Sequence, residues 1–441
     1  MGEHTPTAGS FVPTIRPSMR FSMAGDDCSL HFDLHKLTPK QQQDHQSNQV
    51  LTAMLQVALC YIGRPGIDEV CLYDTFLEPP WNTVLDRYLK LFAIAGLDPA
   101  QPASFHPVDG FYESVANQKR SAELENLYMI SGSNRVLHQS EERLAVSRNL
   151  NSKLHFADNA PAFGLPVPAT LRTTKHAVQA DTDTFMTTHG SPVMLKTLGL
   201  AGARNVFTVS SPQEAVDLLQ EYSDDFDVIL QKRLDTDAYT EMTVDLCVAD
   251  DHSTITNVRQ IVFADGLWVG NLLGPTVSLT QEAQQTLLRV ADYARHHGYA
   301  SKHGYNLGID FFVRNKGADR RLPPIQITEI NARWTGGLFP AELIRRLRIE
   351  SQPVLAFIDM CPPADLDTYL SFVEDSIYTG TLKDFAMVPM GFAPFPMEVD
   401  GTQQLFVWQI VIGDFEAFRK VRAETLGPDV LPTVPKISIT L

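Results

Sequence analysis

The sequence predicts a mixed α/β protein that folds as two or three packed units. The chain has 441 residues, about three times the roughly 150 residues of a typical domain. Helical and strand patterns alternate from residue 49 onward, which is typical of a layered α/β fold. Hydrophobic residues make up 44% of the chain and charged residues 20%, a balance that supports a large core and excludes disorder as the main state.

The N-terminal third predicts an arm followed by a small α/β layer. Residues 1–45 are rich in Pro, Ser, Thr and Gln and show no period of 2 or 3.6, so we expect an irregular arm without chemistry. Residues 46–150 then read as helix 50–61, strand 69–73 and helix 81–95. That alternation indicates a separate α/β domain.

A proline-rich turn introduces the next unit, residues 151–350. The segment PAFGLPVPAT at 161–170 forbids helix and favours an extended turn. The run SPQE at 211–214 is a capping box that begins a helix. The predicted elements of this unit are helices 212–222 and 281–297 and strands 193–197, 206–209, 228–231, 241–248, 257–263, 308–313 and 325–330.

Residues 351–441 predict a C-terminal α+β extension. A strand is expected at 405–412 and a helix at 414–425. The pattern of the extension indicates no chemistry of its own.

Charge and composition exclude several classes of partner. The net charge of −16 disfavours non-specific electrostatic binding to nucleic acid or to an anionic membrane. The longest apolar stretch, 50–62, is interrupted and falls short of the roughly 20 residues that span a bilayer. The N-terminus lacks a signal-peptide pattern, so we expect a cytoplasmic protein. Its five cysteines contain no Cys-x-x-Cys pair and are expected to be reduced core residues.

The strongest local motif is QITEINAR at 326–333. On a strand, Glu329, Asn331 and Arg333 share one face because side chains alternate with a period of two. Asp310 lies in another apolar strand and would add a second carboxylate. Two carboxylates and an amide oxygen suit Mg²⁺, and Arg333 could stabilise charge on a transferring phosphoryl or acyl oxygen. The alternative is a surface hairpin with alternating polar residues.

Two further segments are informative in combination. Lys196 ends an apolar strand before a loop containing Gly199 and Gly202, which places a cation and backbone amides where phosphates could bind. The alternative is a surface lysine before an ordinary turn. An apolar strand ending at Gln231, followed by Glu241, could pair with an adenine edge and ribose hydroxyls, although the pattern also fits a generic β-turn-β unit.

The order and spacing of these segments over roughly residues 150–350 resemble the ATP-grasp superfamily. The resemblance implies two α/β lobes that clamp ATP, preceded by a Rossmann-like pre-ATP-grasp domain. It also implies ATP and Mg²⁺ as cofactors. The implied roles are phosphate binding by Lys153, Lys196 and the loop with Gly199 and Gly202; adenine contact by Gln231, Lys232 and Leu234; ribose binding by Glu241; metal binding by Asp310, Glu329 and Asn331; and catalysis by Arg333 and Lys196.

Substrate contacts are expected from four residues. Arg259 could meet a substrate carboxylate or form an exposed salt bridge. Arg333 lies beside the transferred phosphoryl in the family pattern. Gly336 and Gly337 would expose backbone amides to an acyl phosphate or a carboxylate.

The resemblance implies an ATP-dependent, ADP-forming carboxylate-amine ligase. Its partners would be a small-molecule carboxylate and an amine, and the finer likeness is loosely to the pheganomycin-type peptide ligases, which act on amino acids or peptides. The superfamily also suggests a homodimer. The alternatives are an ATP-grasp small-molecule kinase, or a non-catalytic ATP-binding regulatory protein.

Overall fold

The computed structural model describes most of the chain and arranges it in three β-sheets. None of the described helices is long and apolar enough to cross a membrane. The described residues are 18–24, 35, 37–118, 123–126, 141–197, 206–264, 267–275, 277, 279–302, 304–399 and 401–427.

The first sheet is parallel and four-stranded, with the order β3-β2-β1-β4. The expectation of an irregular arm is wrong at β1, because this buried strand pairs with two neighbours inside the sheet. Four residues are too few to show a period of two, which explains the miss. The elements are β1 (Met19–Ser22), α1 (Pro39–Ile62), β2 (Glu69–Tyr73), α2 (Trp81–Ile94), β3 (Pro102–His106), α3 (Phe111–Asn117) and β4 (Glu123–Asn126).

Helix α1 begins well before the predicted start at residue 50. The Thr38 side chain accepts a hydrogen bond from the backbone N–H of Gln41, and the Gln41 side chain accepts one from the backbone N–H of Thr38. This capping box satisfies donors that the first helical turn leaves without partners. The first turns of α1 are polar and therefore lack the apolar spacing on which the prediction relied.

The second sheet is antiparallel, with the order β5-β8-β6-β7. The predicted N-cap is confirmed, because Ser211 Oγ accepts from the backbone N–H of Glu214 at 3.2 Å. The Glu214 side chain accepts from the backbone N–H of Ser210 rather than from that of Ser211, so the reciprocal bond of the predicted capping box is not formed. Helices α6 and α7 pack with the sheet around a small apolar core. The elements of this region are α4 (Glu141–Leu150), α5 (Lys153–Asn159), β5 (Thr170–Thr174), α6 (Val178–His189), β6 (Val193–Lys196), β7 (Val206–Val209), α7 (Pro212–Leu218) and β8 (Asp227–Lys232).

The third sheet has nine strands, in the order β13-β12-β9-β10-β11-β14-β17-β15, with β16 paired to β17. Strands from the C-terminal extension continue this sheet, and the predicted strand 405–412 and helix 414–425 are confirmed. The elements are β9 (Tyr239–Val248), β10 (Ser253–Ala264), β11 (Leu267–Leu273), α8 (Gln281–His296), β12 (Tyr305–Arg314), β13 (Ile325–Asn331), α9 (Leu338–Leu347), β14 (Val354–Cys361), α10 (Leu366–Asp375), β15 (Phe385–Phe392), β16 (Met397–Val399), β17 (Thr402–Gly413) and α11 (Phe415–Leu426).

Helix α1 also packs tightly on strand β15 of the third sheet. A Cβ atom on Gly391 would lie 2.1 Å from the backbone oxygen of Met54, so only glycine allows this approach. One apolar core therefore runs from α1 through the C-terminal extension. This packing brings α1 to the cavity described below.

The described cysteines agree with the prediction of reduced thiols. Cys60, Cys71, Cys247 and Cys361 are free, and Cys28 lies outside the described residues. Burial raises the pKa of the Cys60 thiol to about 12, which leaves it protonated and unreactive at neutral pH.

Candidate active site

One face of the nine-stranded sheet carries the predicted acidic residues. The strand register places Glu329 opposite Asp310, Asp310 opposite Thr243, and Thr243 opposite Arg259. Side chains of paired residues stand on the same side of a sheet, so these four form a row across β13, β12, β9 and β10. The row lines a cavity of about 400 Å³.

The two carboxylates of this row are held by different partners. Lys153 Nζ donates to Glu329 Oε1 at 2.6 Å, and Asn331 Nδ2 donates to Asp310 Oδ2 at 3.1 Å. Burial alone would raise the pKa of Glu329, but the positive charges of Lys153 and Lys196 hold that pKa below its ordinary value. Burial and the nearby charge of Glu329 raise the pKa of Asp310. Glu329 is therefore a carboxylate, whereas Asp310 binds its proton more tightly than usual.

Two lysines from separate elements face the carboxylates. Lys153 begins helix α5, and Lys196 ends strand β6, where its side chain is 6% exposed. Burial lowers the pKa of Lys196, while Glu329 opposes this shift. Both lysines line the cavity, so a polyanion bound there would meet positive charge from two elements outside the nine-stranded sheet.

The residues expected to bind the nucleotide lie along one part of the cavity wall. Gln231, Lys232, Leu234 and Glu241 all line it. Gln231 Nε2 donates to Thr170 Oγ1 at 3.0 Å, which orients the amide. Burial raises the pKa of Glu241 to about 7.

Two expected phosphate-binding residues cannot be placed in this wall. Gly199 and Gly202 lie outside the described residues, within the stretch 198–205. Their role stays a prediction.

Arg333 lies just beyond the end of β13 and lines the cavity. Its Nη1 donates to Asn151 Oδ1 at 3.3 Å and also to Asn331 Oδ1. The guanidinium is therefore fixed beside the side chain predicted to bind metal. Since Arg333 and Asn331 lie next to Glu329 in one cavity, the predicted clustering of this motif is confirmed.

Arg259 takes part in a buried ion pair. It is 1% exposed, and its guanidinium donates to Asp245 Oδ2, an atom of a fully buried carboxylate. Nη2 of Arg259 also donates to Thr335 Oγ1 at 2.7 Å. The salt bridge that was one of two expectations for Arg259 is thus formed, but it is buried rather than exposed. Its charge is already matched before any substrate carboxylate binds.

The glycine pair after Arg333 is shaped by this network. A Cβ atom on Gly337 would lie 1.8 Å from Arg259 Nε, and one on Gly336 would lie 3.1 Å from the Trp268 ring. Because neither glycine has a side chain, Arg259 can pack against Gly337 and Trp268 against Gly336. Both glycines line the cavity, and their role in substrate binding stays a prediction.

Sequence reasoning missed one part of the wall. The missed lining residues in this part of the wall are Leu51 and Leu55 of α1, Ile261 and Phe263 of β10, and Trp268 and Asn271 of β11. In the sequence, the first two read as ordinary core positions of an amphipathic helix. On β10, Ile261 and Phe263 alternate, but Trp268 and Asn271 are three positions apart, so alternation alone would put them on opposite faces of β11. The strand register, which shifts between Val262 and Phe263, places Asn271 opposite Ile261 and Trp268 opposite Phe263.

The donor set fits a divalent cation bound together with phosphates. In the described part of the chain, no group of three or more His, Cys, Asp or Glu residues could hold a metal ion by itself. Asp310, Glu329 and Asn331 supply two carboxylates and one amide, and Mg²⁺ usually completes its shell with water and substrate phosphate oxygens. Burial, followed by the charges of neighbouring carboxylates, raises the pKa values of Asp310 and Glu241, and a cation bound beside these groups would favour their ionised forms.

The architecture is the ATP-grasp fold. An antiparallel four-stranded lobe and a larger sheet enclose the cavity, and a parallel α/β layer precedes them. The sequence matches no protein-family model and no curated protein sequence.

Solved structures of the same fold cover nearly the whole chain. N5-carboxyaminoimidazole synthetase from Staphylococcus aureus is 11% identical, with a TM-score of 0.52 over 93% of this chain and 97% of that chain. The biotin carboxylase domain of Hydrogenobacter thermophilus 2-oxoglutarate carboxylase, solved as a dimer with MgADP, ADP and bicarbonate, is 11% identical, with a TM-score of 0.54 over 92% and 89%. Phosphoribosylamine–glycine ligase from Thermotoga maritima is 14% identical, with a TM-score of 0.52 over 93% and 96%. The TM-scores and the coverages establish the shared fold.

Proposed function

We propose that the protein is an ATP-dependent carboxylate-amine ligase that releases ADP and phosphate. The observation that carries the proposal is the meeting, in one cavity of the ATP-grasp fold, of Asp310, Glu329 and Asn331 with Lys153 and Lys196. The face of the nine-stranded sheet supplies oxygen ligands, and helix α5 and strand β6 supply the cations. This pairing is the arrangement that phosphoryl transfer requires.

ATP would lie between the two lobes. The adenine would contact Gln231 and the backbone near Lys232 and Leu234, and the ribose hydroxyls would donate to Glu241. The phosphates would extend toward Lys153 and Lys196, with the loop containing Gly199 and Gly202 closing over them.

Mg²⁺ would be held by Asp310, Glu329 and Asn331, where it would neutralise phosphate charge and favour departure of ADP. Lys153 keeps Glu329 ionised and oriented. Arg333 is fixed by Asn151 and would stabilise the charge that develops on the transferred phosphoryl group.

The proposed reaction has two steps. A carboxylate oxygen of the first substrate attacks the γ-phosphorus, the bond to the β-phosphate oxygen breaks, and ADP leaves. The amine then attacks the acyl carbon, phosphate leaves with the electron pair of its bond, and the amine loses a proton. The amides of the Gly336–Gly337 turn and the guanidinium of Arg333 would stabilise the negative oxygens in both steps.

We infer that the acid is an amino acid or a peptide, loosely as in the pheganomycin-type ligases. The name of the Thermotoga maritima neighbour, a phosphoribosylamine–glycine ligase, pairs an amine with an amino acid on the same fold. A homodimer is also proposed, since the Hydrogenobacter thermophilus domain was solved as a dimer.

The deciding experiment measures ADP and hydroxamate together. Wild-type protein is incubated with ATP, Mg²⁺, hydroxylamine and a panel of amino acids, dipeptides and other small carboxylates. Acid-dependent hydroxamate formation in step with ADP supports the ligase. ADP without hydroxamate would replace it with a kinase, and ATP binding without any turnover would favour a regulatory nucleotide-binding protein.

A further inference from the structure

The part of the cavity beside α1 and the β10–β11 hairpin is unlike the nucleotide end. We call it the apolar chamber. Its walls are Leu51, Leu55, Ile261, Phe263, Trp268 and Asn271. None of these six described residues carries a charge, so the chamber has a chemistry different from that of the phosphate region.

The arginine on the same sheet face as the chamber does not make the chamber basic. Arg259 shares the sheet face with Ile261, two residues along β10, but its charge is matched by the fully buried Asp245. A charged substrate group entering the chamber would lose hydration without gaining a counter-ion, which is unfavourable. The walls therefore favour an uncharged group.

One polar side chain of the chamber points to a specific ligand contact. Asn271 is 2% exposed and lines the cavity. Its Nδ2 has no hydrogen-bond partner among the residues that the structure describes. A buried amide donor without a partner is costly, and a carbonyl or ether oxygen of a bound substrate would satisfy it.

The chamber is continuous with the reaction centre. The Trp268 ring lies over Gly336, and a Cβ atom there would be 3.1 Å from the ring. Gly336 and Gly337 follow Arg333 directly in the chain and line the same cavity. A substrate with its carboxylate at this turn would place the rest of its structure against Trp268 and Ile261.

We propose that the apolar chamber binds the side chain of the carboxylate substrate and selects a large uncharged apolar group. The substrate class is an amino acid or short peptide whose activated residue resembles leucine or phenylalanine, with Asn271 donating to an oxygen of that substrate. This inference rests on the proposed ligase function and adds the specificity of its acid site.

The test compares acids of graded size and charge. Hydroxamate and ADP formation are measured with alanine, valine, leucine, phenylalanine, aspartate and lysine, both free and as the C-terminal residues of glycyl dipeptides. Leucine and phenylalanine should exceed alanine in kcat/KM by about 10- to 200-fold, the range that missing apolar groups produce. Equal turnover of alanine, leucine and aspartate would support the ligase function but refute the proposed selectivity of the apolar chamber. If no acid yields hydroxamate, both proposals fail.

Variants locate the selectivity. Trp268→Ala should lower the ratio of kcat/KM for leucine or phenylalanine to that for alanine about tenfold or more, while Leu51→Lys should invert the preference toward aspartate. Asn271→Ala should raise KM for the acid without changing KM for ATP. Ile94→Ala is the matched control, because Ile94 is 52% exposed and does not line the cavity.

Binding provides a readout that does not depend on turnover. Calorimetric titration of wild-type protein, saturated with a non-hydrolysable ATP analogue and Mg²⁺, should detect leucine or phenylalanine but not aspartate or lysine. Loss of the leucine signal in Trp268→Ala, with nucleotide binding retained, supports the chamber. Binding of aspartate as tight as that of leucine would overturn it.

Discussion

Replacing Glu241 with Gln should stabilise the folded protein and lower its affinity for ATP. Glu241 is largely buried. Burial and the negative charges of Asp310 and Glu329 raise the pKa of Glu241 to about 7, because together they outweigh the opposing effect of Lys196. The unfolded chain would titrate near the ordinary value of 4.5. Between these two pKa values the folded protein holds a proton that the unfolded protein has released. Ionisation of Glu241 therefore lowers the free energy of unfolding as the pH rises from 4.5 to about 7.

The size of the effect follows from the two pKa values. A shift from 4.5 to about 7 corresponds to about 3 kcal/mol once the carboxyl is ionised in both states. The partial exposure of the side chain reduces this figure, so we expect Glu241→Gln to gain about 1–3 kcal/mol in the free energy of unfolding at pH 8 and under about 1 kcal/mol at pH 5. Loss of a charged acceptor for the ribose should weaken ATP binding about 10- to 100-fold.

The assay is urea denaturation followed by circular dichroism at pH 5 and pH 8, in EDTA so that no cation occupies the site. Calorimetric ATP titration of the same proteins, in buffer that contains Mg²⁺ and no EDTA, gives the affinity. Glu398→Gln is the control, since Glu398 is exposed and outside the cavity, and it should change stability by less than about 0.5 kcal/mol at both pH values. A Glu241→Gln variant that gains nothing at pH 8, or gains equally at both pH values, would refute the reasoning.

Three further predictions concern the metal ligands, the glycine turn and the C-terminal core. Glu329→Gln should lower ADP formation at least about 100-fold with an unchanged circular dichroism spectrum. Full activity of this variant would show that Glu329 is not a metal ligand. Gly337→Ala should destabilise the protein more than Gly336→Ala in thermal denaturation, because its Cβ meets a buried guanidinium at 1.8 Å rather than a ring at 3.1 Å; equal midpoints would contradict the tight packing. Asp359→Ala should cost about 3–5 kcal/mol in urea denaturation, since it leaves Arg422 buried at 3% exposure without its carboxylate, and a loss below about 1 kcal/mol would show that the pair is solvated.

Much of the fold was predictable from local pattern. Strand 69–73 matches β2, and the helix begun by Ser211 is capped as predicted. The spacing of Glu329 and Asn331 placed both on one face of β13, because a strand repeats every two residues. These features depend on neighbours a few residues apart, so periodicity and capping chemistry report them directly.

The sequence by itself determined which residue types could bind phosphates and a cation, whereas the tertiary structure decided which of them meet. Lys153 reaches Glu329 across 176 residues of chain, and Arg259 is neutralised by Asp245 through the pairing of β9 with β10. Leu55 joins the cavity because α1 packs on β15, which places an N-terminal helix beside the central sheet. Strand register and the packing of distant elements depend on the whole core rather than on any local repeat, so no pattern along the chain could reveal the apolar chamber.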